Sequence, residues 1–150
     1  MYNNKYNLYL FIIGIFLCPL IFAQQSPTGT WVTFDDHTGE QRAQVRVDLS
    51  GNILSATIIK VYLQPGDTGI CSKCPNSFKN QPIVGLQFLW NLHGSKPGVW
   101  EGGYILDPKT GKIYRAKVTL QTDKLYVRGY LGLVALGRTQ IWKRKTALPL

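Results

Sequence analysis

Beyond residue 24 the chain repeats one rhythm, short runs rich in Val, Ile, Tyr, Thr and Trp that each end at a Gly, Asp or Asn. Two runs alternate strictly. In Gln41–Leu49, Ala43, Val45, Val47 and Leu49 oppose Arg42, Gln44, Arg46 and Asp48; in Lys112–Leu120, Tyr114, Ala116, Val118 and Leu120 oppose Arg115, Lys117 and Thr119. A period of two with one apolar face predicts an antiparallel strand that is wet on one side. Six further runs read as strands by composition: Thr28–Phe34, Ile53–Leu63, Pro82–Leu92, Val99–Leu106, Leu125–Leu131 and Arg138–Arg144. Ile53–Leu63 is apolar on both faces for much of its length, so alternation leaves its inward side open. No segment keeps a helical apolar period.

The connections support the same reading. Asp35-Asp36-His37-Thr38-Gly39, Ser50-Gly51-Asn52 and Asp107-Pro108-Lys109-Thr110-Gly111 are turn sequences, in which Asp caps locally, Pro holds φ and Gly supplies positive φ. Only Gln64 to Gln81 forms a long irregular stretch. Strands in a meander with tight turns predict an all-β fold, a single antiparallel up-and-down β-barrel of about eight strands. A barrel of that size is either filled by its own side chains or holds one small ligand. By alternation its interior candidates are Trp31, Val45, Val47, Phe88, Trp90, Trp100, Tyr104, Tyr114, Val118 and Val127.

The N-terminus adds a compartment. Lys5 is the only charged residue before Asp35, and Leu8 to Phe22 is almost wholly apolar. This is a signal-peptide pattern, shorter than a membrane span, with Pro19 breaking the helix and Ala23 offering a small residue before the cleavage point. The expected organisation is a signal peptide over residues 1–23 and one barrel domain over 24–150, exported to the periplasm or the medium. An uncleaved anchor is one rival. A lipoprotein cysteine at Cys18 is another, although Leu17 is large where that chemistry wants a small residue.

Charge changes the picture in the last third. The chain carries 17 basic and 8 acidic residues, a net +9, and residues 109–150 hold ten of the basic residues against the single acid Asp123. For an exported protein the partners that fit are a small apolar or anionic lipid-like ligand and an anionic envelope surface, with no nucleic acid. A solvated sheet face that happens to be basic is the plainer reading.

Candidate chemistry is sparse. Cys71-Ser72-Lys73-Cys74 sits in the irregular stretch, and in an oxidising compartment a nearby pair predicts a disulfide. A reactive redox pair would need the first cysteine at a helix N-terminus, and Pro75 follows instead. Haem attachment would need a histidine at position 75. Zinc would need more ligands, and His37 and His93 lie on separate segments without motif spacing. Glu101 is the only carboxylate inside an apolar strand, where alternation puts it opposite Trp100 and Tyr104. No second carboxylate is spaced to pair with it, no Gly-x-Ser-x-Gly elbow occurs, and no cofactor is expected. The reading is therefore non-enzymatic.

Several strings, in order, resemble a known family. They are Gly29-Thr30-Trp31, the Cys71/Cys74 pair, Pro82-Ile83-Val84-Gly85-Leu86, and Trp100-Glu101-Gly102-Gly103-Tyr104-Ile105-Leu106-Asp107-Pro108 running on to Gly111-Lys112-Ile113-Tyr114. Arg128-Gly129-Tyr130-Leu131-Gly132 and the segment Gly137 to Arg144 complete the set. Together they resemble the exported bacterial family called domain of unknown function 2147. The resemblance implies a lipocalin-like barrel and export, and supplies no catalytic residues. Gly29-Thr30-Trp31 is also similar to the lipocalin signature, which implies that Trp31 packs at the barrel floor against an arginine from the end of the barrel, Arg138 or Arg144, with Arg144 preferred. The function expected from all this is a binding module for a small apolar or amphipathic ligand. The alternative is a filled barrel that meets envelope components or a protein partner through its basic C-terminal surface.

Overall fold

The computed structural model describes residues 25–146, so the signal peptide expected over residues 1–23 lies outside the described residues. The apolar runs become eight strands: β1 Gly29–Phe34, β2 Gln41–Ser50, β3 Ile53–Val61, β4 Gln87–Lys96, β5 Val99–Leu106, β6 Ile113–Gln121, β7 Lys124–Tyr130 and β8 Arg138–Arg144. Each pairs antiparallel with the next, and β8 returns to β1, closing an up-and-down barrel. Single 3-10 turns at Asn76–Phe78 and Val134–Leu136 are the only helical pieces among the described residues.

Because every connection joins neighbours, the barrel has two unlike ends. The β1–β2, β3–β4, β5–β6 and β7–β8 loops gather at one, the loop end. Three tight turns and the segment before β1 gather at the other, the turn end. Two loop-end connections share one design. In Asp35–Gly39 and in Asp107–Gly111 the glycine N–H donates to the first aspartate's carbonyl, at 2.9 and 2.8 Å, and both glycines have φ +73°. Both aspartates also accept side-chain bonds inside the turn: His37 and Thr38 N–H donate to Asp35 Oδ1, and Lys109 N–H donates to Asp107 Oδ1. The N–H groups of Thr38 and then His37 hold the Asp35 carboxyl below the usual carboxylate range.

The alternation in β2 and β6 places Val45, Val47, Ala116 and Val118 inside and fully buried, while Arg46 and Arg115 stay in water. It also resolves β3: Val45 faces Ile58, Val47 faces Ala56 and Leu49 faces Leu54, so these three turn inward while Ile53 and Ile59 are exposed.

One strand is displaced from expectation. Residues 82–86 do not begin β4. Gly85 turns the chain at φ +94° and its N–H donates to Ile58 O, so regular pairing starts only at Gln87. At its far end β4 runs on through His93 and Gly94 to Lys96. There Asn52 holds Gly94 by two bonds, and a Cβ at Gly94 would lie 2.1 Å from the Asn52 side-chain oxygen.

Closure itself rests on a short seam, Trp31 facing Arg144 and Val32 facing Lys143. Trp31 is fully buried, its indole N–H donates to Pro27 O at 2.8 Å, and the Arg144 guanidinium lies over its ring at 4.2 Å. The same guanidinium donates to Thr28 O at 2.9 Å and Ser26 O at 2.7 Å. Gly29 has φ +122°, and a Cβ there would stand 3.2 Å from Arg144 Nη1. The motif Gly29-Thr30-Trp31 thus supplies a ring to stack on, and a backbone thin enough to let the arginine reach it. The preference for Arg144 over Arg138 holds.

The long β3–β4 loop folds over the outer wall. Cys71 and Cys74 form a disulfide, both buried, beneath the β5–β6 turn: Cys71 Sγ lies 3.8 Å from Pro108 O, and a Cβ at Gly111 would strike Lys73 O at 1.9 Å. Phe78 from the same loop packs on Trp90 with ring centroids 5.5 Å apart.

Arg144→Ala is expected to lower unfolding free energy by about 2 kcal/mol, from one cation–π contact and two charge-assisted bonds. Arg144→Lys should recover little of it, because an ammonium cannot supply the fork. Urea denaturation measures both, and a loss below about 0.5 kcal/mol for the alanine variant would show that the seam does not depend on this residue. Replacing Cys71 and Cys74 by Ser should cost at most about 2 kcal/mol, since the ring closed is small. Limited proteolysis should then cut within residues 64–81 while the far-ultraviolet circular dichroism of the barrel is unchanged.

Candidate functional site

The interior is filled through its middle layers, while Leu49 and Leu120 at the turn end are half-buried. The inward side chains Trp31, Val45, Leu54, Ala56, Leu89, Leu92, Ala116, Val118, Leu125 and Trp142 have no solvent-accessible surface, so no void of water size touches them. Phe88 lies across the axis from Trp142, ring centroids 5.7 Å apart, and covers this layer.

Towards the loop end the same inward rows become half-buried. Ala43 stands two residues from Val45 and faces Val61; Tyr114 stands two from Ala116 and faces Ile105; Gln140 faces Val127. Gly129 leaves room beside them, since a Cβ there would meet Ile105 and Tyr114 at ordinary contact distance. Arg138 faces Gly129 at the rim and forms an ion pair with Asp36 of the β1–β2 turn. This partly covered loop end, the cup, has an apolar wall, with Phe88, Val127 and Trp142 beneath it and Tyr114, Gln140 and Arg138 as its polar groups. At the turn end a wide recess of about 510 Å³, open to water, lies among Pro27, Leu49, Asn52, Lys96 and Trp100.

The interior candidates therefore divide. Trp31, Val45, Val47, Val118 and Val127 belong to the filled layer, with Phe88 above it, and Tyr114 stands in the cup wall. Trp100 is buried at the turn end, beside the recess. Trp90 and Tyr104 are not interior. They face each other on the outer wall, stacked at 5.8 Å, with the exposed Arg115 4.9 Å over the Tyr104 ring and donating to its hydroxyl at 2.9 Å.

Bulges cause both reversals. Leu89 pairs with Ala56 and Gln87 with Thr57, so Phe88 is an extra residue, and Phe88 and Leu89 both turn inward. That changes the parity for Trp90. In β5 the extra residue is Gly102 at φ +83°, after which Gly103 passes so close to β4 that a Cβ would lie 2.3 Å from Trp90 O. Tyr104 consequently shares the outer face with Glu101, not with Trp100. The adjacent glycines 102 and 103 were the readable sign of this bulge.

Glu101 points outward and pairs with Lys117 at 3.3 Å. A hydrogen bond from Ser95, and then the Lys117 ammonium, hold its carboxyl below the usual glutamate range, the direction opposite to that of a raised general acid. The two cysteines are buried, so an exchange partner would have to lift the loop to reach them. His37 lies in the β1–β2 turn at the loop end, and His93 faces Glu101 on the outer wall.

Comparison with known proteins agrees with this geometry. A Helicobacter pylori protein, described as belonging to the lipocalin family, shares the fold with a TM-score of 0.69 and 21% identity, over 81% of this chain and 84% of that one. No curated protein matches the chain. The model of a family described as uncharacterized protein conserved in bacteria matches residues 29–144. The chain, a lipocalin-like barrel closed by Trp31 and Arg144, belongs to that family, domain of unknown function 2147.

Proposed function

We propose that this protein is an exported binding module that takes the apolar part of a small amphipathic ligand into the cup at its loop end. The observation that carries the reading is the gradient of burial along the inward rows, complete at Val45, Ala116 and Trp142 and partial at Ala43, Ile105, Tyr114 and Gln140. Apolar concavity with a few convergent polar groups is the usual make-up of a small-molecule site. Arg138 and Asp36 at the rim give an anionic or zwitterionic headgroup something to exchange with.

The filled layer sets the size of the ligand. A chain that needs the whole barrel length has no room, so a short acyl or aromatic group seated above Phe88 and Trp142 fits better than a long fatty acid. Export rests on the apolar, nearly uncharged N-terminal segment, with Lys5 before it and Ala23 after it.

The probe 1-anilinonaphthalene-8-sulfonate should bind with enhanced fluorescence and be displaced by octanoate. Ala43→Phe, which fills the mouth with apolar volume, should weaken both by about tenfold. Trp100→Ala, at the other end, should leave them unchanged. An Ala43→Phe protein that melts like the wild type and binds the probe equally well would place the ligand elsewhere.

A further inference from the structure

The connection between β7 and β8 reads Leu131-Gly132-Leu133-Val134-Ala135-Leu136, and it is not folded into the core. Leu131 is 66% exposed, Leu133 70% and Leu136 78%, with Val134 also exposed. Four large apolar side chains in one short loop are unusual on a soluble surface and mark a place where something docks.

The loop's presentation is built into the fold. Arg128, on the outer face of β7, donates to Val134 O at 2.6 Å, to Ala135 O at 2.9 Å and to Thr139 Oγ1 at 2.7 Å. Gly137 lies against β7, where a Cβ would meet Gly129 O at 2.5 Å. The backbone carbonyls are therefore satisfied towards the barrel while the leucines face water. This spends a guanidinium on holding apolar groups out.

The outer wall that runs from the loop down β6, β7 and β8 to the turn end is basic. On the outer faces of β6, β7 and β8, Lys117 stands directly opposite Arg128, and Lys124 directly opposite Lys143. Like charges in facing positions destabilise a sheet. Lys117 is offset by Glu101, and Arg128 by the loop carbonyls. Lys124 and Lys143 face each other, with Lys143 4.9 Å from the Phe34 ring, and among the described residues neither has a carboxylate beside it. Ile141, 44% exposed, continues the apolar strip down the same face opposite Tyr126. Among the described residues, Arg115, Lys124, Arg128 and Lys143 have no carboxylate within ion-pair distance.

We propose that this face is a membrane-contact surface for an anionic bilayer. Leu131, Leu133, Val134 and Leu136 enter the headgroup region, and Lys124 and Lys143, with their basic neighbours, meet the lipid phosphates. Apolar side chains above a basic wall are the arrangement by which a protein lies on an anionic membrane without spanning it. A protein partner would have to be acidic and apolar in the same layout, and a second copy of this chain would set two basic walls against each other. The lipid surface is the occupant that the charge favours. The loop stands at the rim of the cup, but its leucines face water and the basic wall is the outer face of the barrel, so the proposal needs no ligand in the cup.

Flotation with vesicles tests it, using protein purified from expression of the full chain with its N-terminus fixed by intact mass. The wild type should float with phosphatidylcholine vesicles containing phosphatidylglycerol, and should be released by high salt. It should stay in solution with phosphatidylcholine alone. Leu133→Asp with Leu136→Asp should weaken flotation by at least about tenfold, and Lys124→Gln and Lys143→Gln by about fivefold each. All four substitutions are at exposed positions, and unchanged melting temperatures confirm that the barrel is intact. A wild type that ignores anionic vesicles overturns the proposal, as does a double aspartate variant that floats normally. Concentration-dependent dimerisation abolished by the aspartates, without flotation of the wild type, would also overturn it and assign the loop to self-association.

Discussion

An eight-stranded sheet closes only if its last strand finds its first, and here that meeting is two residue pairs long. Trp31 and Arg144 carry it. The ring is buried and the guanidinium lies on it, bonded to two carbonyls of the segment that enters β1. That one contact joins the first strand to the last. The inward rows are partly open at both ends, at Leu49 and Leu120 beside the turn-end recess and at Ala43, Tyr114 and Gln140 at the loop end.

The rest of the molecule divides its aromatic residues between two jobs. Inside, Trp31, Phe88 and Trp142 supply the volume that a barrel of this width needs when it holds no deep cavity. Outside, Phe78, Trp90, Tyr104 and Arg115 form a stack that pins the disulfide loop to the wall. The loop has few hydrogen bonds of its own into the barrel, so a stacked outer face and a short covalent ring at Cys71 and Cys74 replace them. The opposite wall, over β6 to β8, carries the chain's basic surplus and the apolar β7–β8 loop. One wall is occupied by the protein itself and the other is presented to the surroundings.

Much of this was legible before any coordinates. Val45, Val47, Ala116 and Val118 lie inside because Gln41–Leu49 and Lys112–Leu120 alternate without interruption. The Asp-to-Gly turns bend where their side chains can cap them. Arg144 as the partner of Trp31 follows from the resemblance of Gly29-Thr30-Trp31 to the lipocalin signature, and the register agrees. Trp90 and Tyr104 lie outside because counting by twos assumes that no residue is inserted, whereas Phe88 is inserted in β4 ahead of Trp90 and Gly102 in β5 ahead of Tyr104. Leu131 reads as the end of a strand and residues 132–137 as a glycine-bounded loop, but exposure of the loop's leucines is not legible from composition.

Sequence alone determined the strand order, the turn chemistry, the inward face of the regular strands and the position of the positive charge. All of these are local or compositional properties. Tertiary structure decided the parity beyond each bulge, because an inserted residue is defined only against its partner strand. It decided the depth of the cup, because burial at Tyr114 and Ile105 depends on what the neighbouring loops leave uncovered. It also decided that the leucines of residues 131–136 face outward, because the Arg128 hydrogen bonds that turn them there join residues on different segments.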